Sequence, residues 1–289
     1  MIERKLINDN LLTIVGTLTD ATINVSTAAN GKDYVRGSVN VKSNDKTISL
    51  NFFTMKLTKD NTVSKLYNTY STLDTLRGKR VRITGYIDEA KVPTNGQIRR
   101  GNSLYLRFIN VLSDTDATPD SATFKVAGFV QEWLKAMYDD DGATIKDYVI
   151  ILGQADYKNT MTKQIRLNVD KANQMAVNSL NEKFTKGVSC VFNGNLDFDI
   201  ETITTEEPQD FGPAIHKTIQ RSIKRYVISS GSIIPDETAY TQDEINELNK
   251  GADEDDATVL KTRGSVAGTG GTVAVQQTNK SPYARRKLI

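Results

Sequence analysis

Hydrophobic and polar positions alternate with a period of two along most of residues 11–229, which is the pattern of β-strands with one buried face. Residues 34–42 are the clearest case, with valine or glycine at the odd positions and Tyr, Arg, Ser, Asn or Lys at the even ones. Similar alternation, rich in β-branched residues, predicts further strands at 11–26, 48–53, 80–87 and 104–111. The first part of the chain is therefore predicted to be built from five strands.

Residues 61–76 follow a different spacing. Their apolar residues, among them Leu66, Tyr70 and Leu73, recur at helical intervals, and Gly78 is suited to end a helix. The predicted order is three strands, a helix and two strands, which is the order of the OB-fold, a five-stranded Greek-key barrel. Residues 89–102, between the last two strands, are predicted to form a polar, basic loop.

The same pattern occurs a second time. The segment Ile14-Val15-Gly16-Thr17-Leu18 recurs as Val126-Ala127-Gly128-Phe129-Val130, and the segment around Gly85 recurs around Gly194. A period of more than about 100 residues indicates a duplicated domain, because solenoid repeats are shorter. The second copy predicts strands at 124–138, 146–152, 160–169, 188–200 and 223–229, a helix at 172–184 and a long loop at 201–222.

The predicted fold is all-β: two tandem OB-fold five-stranded Greek-key barrels, each with one helix, followed by a mostly disordered C-terminal tail. The expected boundaries are 1–118 for the first barrel, 119–234 for the second and 235–289 for the tail. Within the tail, residues 241–244 read as a capping box for a short helix at 243–250. Residues 253–256 form an acidic cluster, and residues 261–279 have little to bury.

Charge is distributed unevenly along the chain. Residues 1–118 carry 17 Lys and Arg against 11 Asp and Glu, a net charge of +6, whereas 119–234 and 235–289 each carry −2. A polyanion is therefore expected to bind the first barrel. No apolar run approaches the roughly 18 residues of a membrane span, no signal peptide precedes Leu11, and the single Cys190 is typical of a reducing compartment. We expect a cytoplasmic protein (host cytoplasm if phage-encoded) with no membrane partner and a buried, structural thiol.

Residue types that carry catalysis are scarce. His216 is the only histidine, which excludes zinc sites built from several His and Cys side chains and leaves one candidate base for a Ser-His-Asp arrangement. Asp139-Asp140-Asp141 before Gly142 is typical of a solvated turn, and no phosphate-binding loop is present. We expect no catalytic residue, no metal site and no cofactor, and hence a protein that is not an enzyme.

Aromatic and basic residues share the outward positions of the first barrel and its basic loop. Single-stranded nucleic acid is bound by this combination, because cations follow the phosphates and exposed rings stack on unpaired bases. The candidate DNA-binding residues are Tyr34, Arg36, Lys42, Phe53, Lys56, Arg82, Tyr86, Arg99, Arg100, Tyr105 and Arg107. A solvated barrel face with a few surface aromatics is the alternative interpretation.

The first barrel resembles bacterial and phage single-stranded DNA-binding proteins. The resemblance runs from Val15-Gly16-Thr17-Leu18 through the Asn30-Gly31 turn to the strand at 34–41, then through 51–57 and 78–85, and covers roughly residues 10–112. It implies sequence-independent binding and protection of single-stranded DNA in replication, recombination or repair. The chain departs from that family by ending in Arg285-Arg286-Lys287-Leu288-Ile289 rather than an acidic tip. Its duplication is similar to tandem-domain proteins of phages and plasmids.

The tail and the second barrel lead to separate expectations. The acidic cluster is a candidate substitute for the acidic tip, both for recruiting replication or recombination proteins and for competing with DNA on the basic face. Deleting residues 251–289 should then leave stability nearly unchanged and raise DNA affinity at low salt. In the second barrel, residues 148–152 are apolar on both faces, which predicts packing against a partner domain or subunit, including self-association.

Two other functions remain open at this stage. One is a phage structural or assembly protein whose barrels mediate protein–protein contacts, which the near-neutral second half favours. The other is RNA binding, or service as an accessory domain of a nucleic-acid enzyme.

Overall fold

The computed structural model describes residues 9–264 except 95, 139–142, 144, 156–161, 171–177, 179–182, 208–214 and 236. The first half contains the strands β1 Asn10–Thr27, β2 Asp33–Ser43, β3 Lys46–Met55, β4 Arg80–Thr94 and β5 Gln97–Val111. The second contains β6 Ser121–Tyr138, β7 Ile145–Ala155, β8 Thr162–Val169, β9 Ser189–Glu207 and β10 Ile215–Ile233. The described helices are α1 Lys65–Tyr70, a 3-10 turn Leu73–Leu76 and α2 Gln242–Gly264. The structure is mostly β, as the alternation predicts.

Strand pairing is the same in both halves. In the first, β1 pairs antiparallel with β2 and β4, β2 with β3 and β4 with β5, and a parallel bridge between Asn51 and Tyr105 joins β3 to β5. In the second, β6 to β10 repeat these pairings, with the parallel bridge between Asn168 and Val227. Each half therefore closes in the order of the OB barrel, which confirms the predicted duplication and fold class.

The two barrels share one sheet. Strand β1 pairs antiparallel with β6, so that Leu12 lies opposite Phe124 and Thr13 opposite Thr123. Leu12 and Phe124 are both buried and point to the same side, where the cores of the two barrels lie. The outer faces of both barrels consequently form one continuous surface across the β1–β6 junction.

The helix of the first barrel is shorter than its apolar spacing predicts. Ser64 precedes α1, and the hydroxyls of Ser71 and Thr72 donate to the carbonyls of Tyr67 and Asn68, at 2.7 and 3.2 Å. Such side-chain bonds to the preceding turn compete with regular helix and help end it after six residues. The helix still plugs the barrel, because Tyr70 is buried and its hydroxyl donates to the carbonyls of Leu106 and Arg107.

The repeated glycines stand where another strand approaches closely. A Cβ on Gly85 would lie 2.2 Å from the carbonyl oxygen of Tyr105, and one on Gly194 would lie 2.1 Å from that of Val227. A register shift of the β-bulge type occurs beside each glycine, between Thr84 and Gly85 and opposite Gly194. The duplication therefore preserves the two positions at which only glycine is accommodated.

Alanine at these glycines is expected to destabilise the fold. Gly85→Ala or Gly194→Ala should lower the free energy of unfolding by about 1–3 kcal/mol, because a methyl group must displace backbone. Gly101→Ala is the matched control, since nothing lies within 4 Å of the position that a Cβ would take there. Urea unfolding of the three variants measures the difference, and equal stabilities would contradict the close-approach explanation.

The loop predicted at 89–102 is wrong, and strands also extend into both ends of the loop predicted at 201–222. Strand β4 continues to Thr94 and β5 begins at Gln97, so residues 89–102 form a long hairpin whose turn includes Gly96 at a φ of 75°. The Asn95-Gly96 dipeptide is the two-residue hairpin signal that accounts for this. Within 201–222, the residues up to Glu207 and from Ile215 onward are paired in β9 and β10, and 208–214 lie outside the described residues.

The helix after the second barrel is longer than predicted and is packed. The capping box is present, since Thr241 N–H donates to the Glu244 carboxylate at 2.7 Å, but α2 runs from Gln242 to Gly264 rather than ending at 250. Ile245 and Leu248 pack with Phe129 and Tyr240 in a small second core. Residues 240–252 are therefore packed rather than a free tail.

Of the remaining expectations, the buried thiol can be compared with the structure, whereas several others lie outside the described residues. Cys190 is fully buried, and burial raises its pKa to about 12, which confirms the structural thiol. The predicted helix at 172–184 lies mostly outside the described residues, as do residues 265–289 and the Asp139-Asp140-Asp141 turn. Within the described part of the chain, no helix is both long and apolar enough to cross a membrane.

Candidate nucleic-acid interface

Two pairs of aromatic rings lie on the outer face of the first barrel. Tyr34 and Phe53, from β2 and β3, have ring centroids 5.6 Å apart. Tyr86 and Tyr105, from β4 and β5, are 5.2 Å apart and nearly parallel, with 15° between their planes. Both pairs occupy outward positions because their strand neighbours Val35, Phe52, Ile87, Leu104 and Leu106 fill the core.

The strand register places the two pairs on one surface. Arg36 lies opposite Phe53 on β2 and β3, and the parallel bridge sets Asn51 of β3 beside Tyr105 of β5. Phe53 is two residues beyond Asn51 along β3, a distance of about 7 Å. The four rings therefore line adjacent strands of a single curved face.

Each ring pair has a guanidinium group beside it. The Cζ of Arg36 lies 5.9 Å from the centroid of the Tyr34 ring, and that of Arg107 lies 4.8 Å from the centroid of Tyr86. Both distances are within the range of cation–π attraction, which orients the guanidinium over the ring. The arrangement offers stacking faces and positive charge side by side.

A fifth outward ring, Phe108, was missed by sequence reasoning. Strict alternation from Tyr105 would place Phe108 in the core, but the bulge at Thr84 and Gly85 inserts Arg107 as an extra residue. Phe108 consequently lies opposite Thr84 and is 55% exposed. We call Tyr34, Phe53, Tyr86, Tyr105 and Phe108, together with Arg36 and Arg107, the aromatic platform.

Two further predicted cations lie near the platform. Lys56 follows β3 next to Tyr34, and its ammonium contacts the Asp33 carboxylate at 3.0 Å. This hydrogen bond raises the pKa of Lys56 and lowers that of Asp33. Arg99 is exposed, and its alternation along β5 sets it on the same side of the hairpin as Tyr105.

Lys42 lies away from the platform, and Arg82 lies on the outer face of β4 where the linker contacts it. Lys42 is at the other end of β2, about 26 Å from Tyr34 along the strand, and pairs with Asp45 at 3.0 Å. Arg82 donates to Thr118 Oγ1 at 3.1 Å, in the linker that crosses from the first barrel to the second. The structure thus separates Lys42 from the rings, whereas Arg82 stays two residues from Thr84, the partner of Phe108, and is engaged by the linker.

Arg100 lies on the opposite side of the hairpin from the platform. It is paired with Lys91 across the two strands, and both side chains are 14% exposed and contact the carboxylate of Asp256 in α2. Arg100 also contacts Glu89 at 2.5 Å. Burial raises the pKa of Glu89, although the hydrogen bond from Arg100 opposes this shift. We call Glu89, Lys91, Arg100 and Asp256 the charge cluster.

The charge cluster holds the hairpin of the first barrel against the second. Beside it, the Asn102 side chain exchanges hydrogen bonds with the backbone of Arg166 in β8, at 2.6 and 3.0 Å. Lys163 of β8 contacts Asp88 at 2.9 Å. Asp256 does engage two cations of the first barrel, as the competitor hypothesis expects, but it reaches them from the side away from the platform.

The apolar strand of the second barrel is buried within this chain. Val149 and Ile151 are 8% and 3% exposed, and they lie opposite Asn168 and Arg166 of β8. The same strand β8 meets the hairpin of the first barrel and helix α2, whose Asn249 accepts hydrogen bonds from Gln131 and Thr162. The sequence predicted that this strand packs against a partner. Strand β8, the hairpin of the first barrel and helix α2 are such partners within the same chain.

Several solved structures of other proteins are similar to this chain. The chain is similar to wild-type single-stranded DNA binding protein from Thermus aquaticus, with 14% identity, a TM-score of 0.43, and coverage of 81% of this chain and 97% of that one. A deletion mutant of the same protein gives 13% identity, a TM-score of 0.43, and coverage of 81% and 98%. A replication protein A heterotrimer bound to ssDNA gives 15% identity, a TM-score of 0.26, and coverage of 86% and 53%.

The OB-fold is assigned from the order and pairing of the strands and not from these similarities. No curated protein matches the chain. A protein-family comparison is decisive for membership, since residues 8–259, spanning both barrels and most of α2, match the family described as YorF. The chain belongs to the YorF family.

Proposed function

We propose that this protein binds single-stranded DNA without sequence preference, through the aromatic platform of its first barrel. The proposal rests on two pairs of aromatic rings that lie on one outward face, each with an arginine, Arg36 or Arg107, beside it. Unpaired bases stack on such rings, whereas paired bases in a duplex have no free faces to offer. The biological setting we propose is replication, recombination or repair.

Charge supports the choice of ligand. The net charge of +6 in residues 1–118 attracts a polyanion, and the exposed Arg99 extends the positive potential along the hairpin. Stacking contributes on the order of 1–3 kcal/mol per base and does not depend on base identity. Affinity is thus expected to come from rings and phosphate contacts together, with little discrimination between sequences.

The direct test compares three ligands of equal length by fluorescence anisotropy: oligo-dT, oligo-U and a DNA duplex. Preference for oligo-dT over the duplex, with affinity that falls steeply as salt rises, is the expected result. Absence of binding at low salt would overturn the proposal and favour a structural or assembly role. Stronger binding of oligo-U would assign the platform to RNA instead.

Arg107 is expected to contribute to DNA affinity by contacting a phosphate group as well as by orienting over the Tyr86 ring. Arg107→Ala should weaken binding of every oligonucleotide alike and reduce the slope of log K against log salt by about 0.7, the value per phosphate contact in single strands. Arg77→Ala is the matched control, since Arg77 is 63% exposed and pairs with Asp20 outside the platform. If the slope of log K against log salt is the same for the two variants, Arg107 does not contact a phosphate.

A further inference from the structure

We propose that the bound strand continues from the aromatic platform onto a largely polar strip that crosses the β1–β6 junction and reaches β9 of the second barrel. This inference rests on the proposed function and adds a contact surface to it. The strip consists of Leu11, Thr13, Thr123, Lys125, Asn193 and Asn195. Its chemistry differs from that of the platform and is suited to the sugar–phosphate backbone of the same strand.

Strand register carries the outer face from one barrel to the other. Thr84 of β4 lies opposite Thr13 of β1, Thr13 opposite Thr123 of β6, and Thr123 opposite Asn195 of β9. Directly paired residues point to the same side of a sheet. This row begins beside Phe108, which pairs with Thr84 on β5, and so it starts within the platform.

A second row runs parallel to the first. Leu11 precedes the pair formed by Leu12 and Gly85, which sets it level with Tyr86. Leu11 lies opposite Lys125, and Lys125 opposite Asn193. The span from β4 to β9 is three strand spacings, about 14 Å. A strand stacked on Tyr86 therefore needs to advance only a short distance to reach Lys125.

The strip is exposed to solvent, and the linker around Thr118 covers only the neighbouring part of the same face. Leu11 is 43% exposed, whereas Val15, on the same face of β1 near the Arg82 and Thr118 contact, is 2% exposed. Thr123, Lys125, Asn193 and Asn195 are all exposed. Together with Ser229 they line a groove of about 240 Å³ on the outer surface.

The groove has the chemistry of a phosphate and sugar contact. Hydroxyl and amide groups donate and accept hydrogen bonds without a charge of their own. Lys125 supplies a cation, and it takes part in none of the ion pairs between described residues. None of the described residues lining the groove is acidic. The only ring among them, Phe124, is buried at 3% exposure, so stacking is not offered.

The strip also explains how a second barrel of net charge −2 can contact a polyanion. Among its described carboxylates, Asp147 pairs with Arg225 at 2.7 Å, and Asp197 follows Asn195 by two residues, beyond the groove. Among the described residues that line the groove, Lys125 is the one that carries a positive charge. Its charge should matter for a strand long enough to reach it.

Oligonucleotide length separates the strip from the platform. We would measure affinity for oligo-dT of about 4 nucleotides, the smallest site of one OB fold, which the platform's rings can occupy alone, and of about 20 nucleotides, longer than one fold covers. Lys125→Glu should weaken the longer ligand about tenfold at low salt, through loss and reversal of one charge contact. The shorter ligand, which the platform's rings retain, should change less than twofold.

Lys186→Glu is the matched control, because Lys186 is exposed and lies outside the strip. It reports how the same change in net charge acts through the electrostatic potential of the whole protein. Each ligand should bind this variant about as tightly as it binds the unaltered protein. A double variant, Asn193→Ala with Asn195→Ala, removes the amides without altering charge and should weaken the longer ligand selectively. Thermal melting checks that each variant is folded.

The outcomes distinguish the two proposals. If the unaltered protein binds neither ligand, the proposed function fails. If it binds both, and Lys125→Glu affects the long ligand no more than Lys186→Glu does, the strand does not cross the junction. Equal weakening of both ligands by Lys125→Glu would likewise overturn the strip, since the short ligand is held by the platform.

Discussion

Replacing Tyr86 with alanine should weaken oligo-dT binding by about 1–3 kcal/mol, the contribution of one stacked base. Tyr86 stands at the centre of the platform, stacked on Tyr105 and overlaid by Arg107. Its loss removes a stacking face and one support of the guanidinium. The slope of log K against log salt should stay nearly unchanged, because no phosphate contact is lost. Tyr34→Ala should behave in the same way at the other ring pair.

Tyr86→Phe is the control that isolates the ring from the hydroxyl. It retains the stacking surface and should keep affinity within about twofold, since stacking uses the π-face. Anisotropy titrations at several salt concentrations measure both quantities. A change in slope without a change in low-salt affinity, or equal weakening by Tyr86→Phe and Tyr86→Ala, would show that the assignment to stacking is wrong.

Neutralising Asp256 should destabilise the whole protein. Asp256→Asn leaves Lys91 and Arg100, both 14% exposed, with Glu89 as the remaining described carboxylate of the charge cluster. Breaking a buried ion pair from one side costs about 3 kcal/mol, because the partner charge stays buried without compensation. Deleting residues 251–289 should cost at least as much, since it also removes the buried Ala252. This reverses the expectation that the segment is dispensable for folding.

Asp243→Asn is the matched control for this prediction. Asp243 lies on the same helix but is exposed, so its neutralisation should change the unfolding free energy by no more than about 0.5–1 kcal/mol. Urea denaturation of the full chain compares the two variants. Similar stabilities would mean that the cluster does not fasten α2 and the hairpin together. Unchanged DNA affinity in folded Asp256→Asn would agree with its position behind the platform.

Sequence alone determined the duplication, the strand order and most of the platform. Alternation is a local property, since successive side chains of a strand point to opposite faces whatever the strand pairs with. It therefore placed Tyr34, Arg36, Phe53, Tyr86 and Tyr105 outward without knowledge of the fold. The paired glycines were equally visible, although the reason for them, a carbonyl oxygen just over 2 Å from a would-be Cβ, is a contact between strands.

The tertiary structure decided whatever depends on which strands meet and in what register. A bulge opposite Gly85 turned Phe108 outward, and extension of the β4–β5 hairpin put Arg99 and Arg100 on opposite sides. Asp256 reaches Lys91 and Arg100 across more than 150 residues of sequence, and the pairing of β1 with β6 joins two outer faces into one. Alternation encodes a side chain's face relative to its own strand, but the partner on that face is set by non-local pairing, which no local pattern contains.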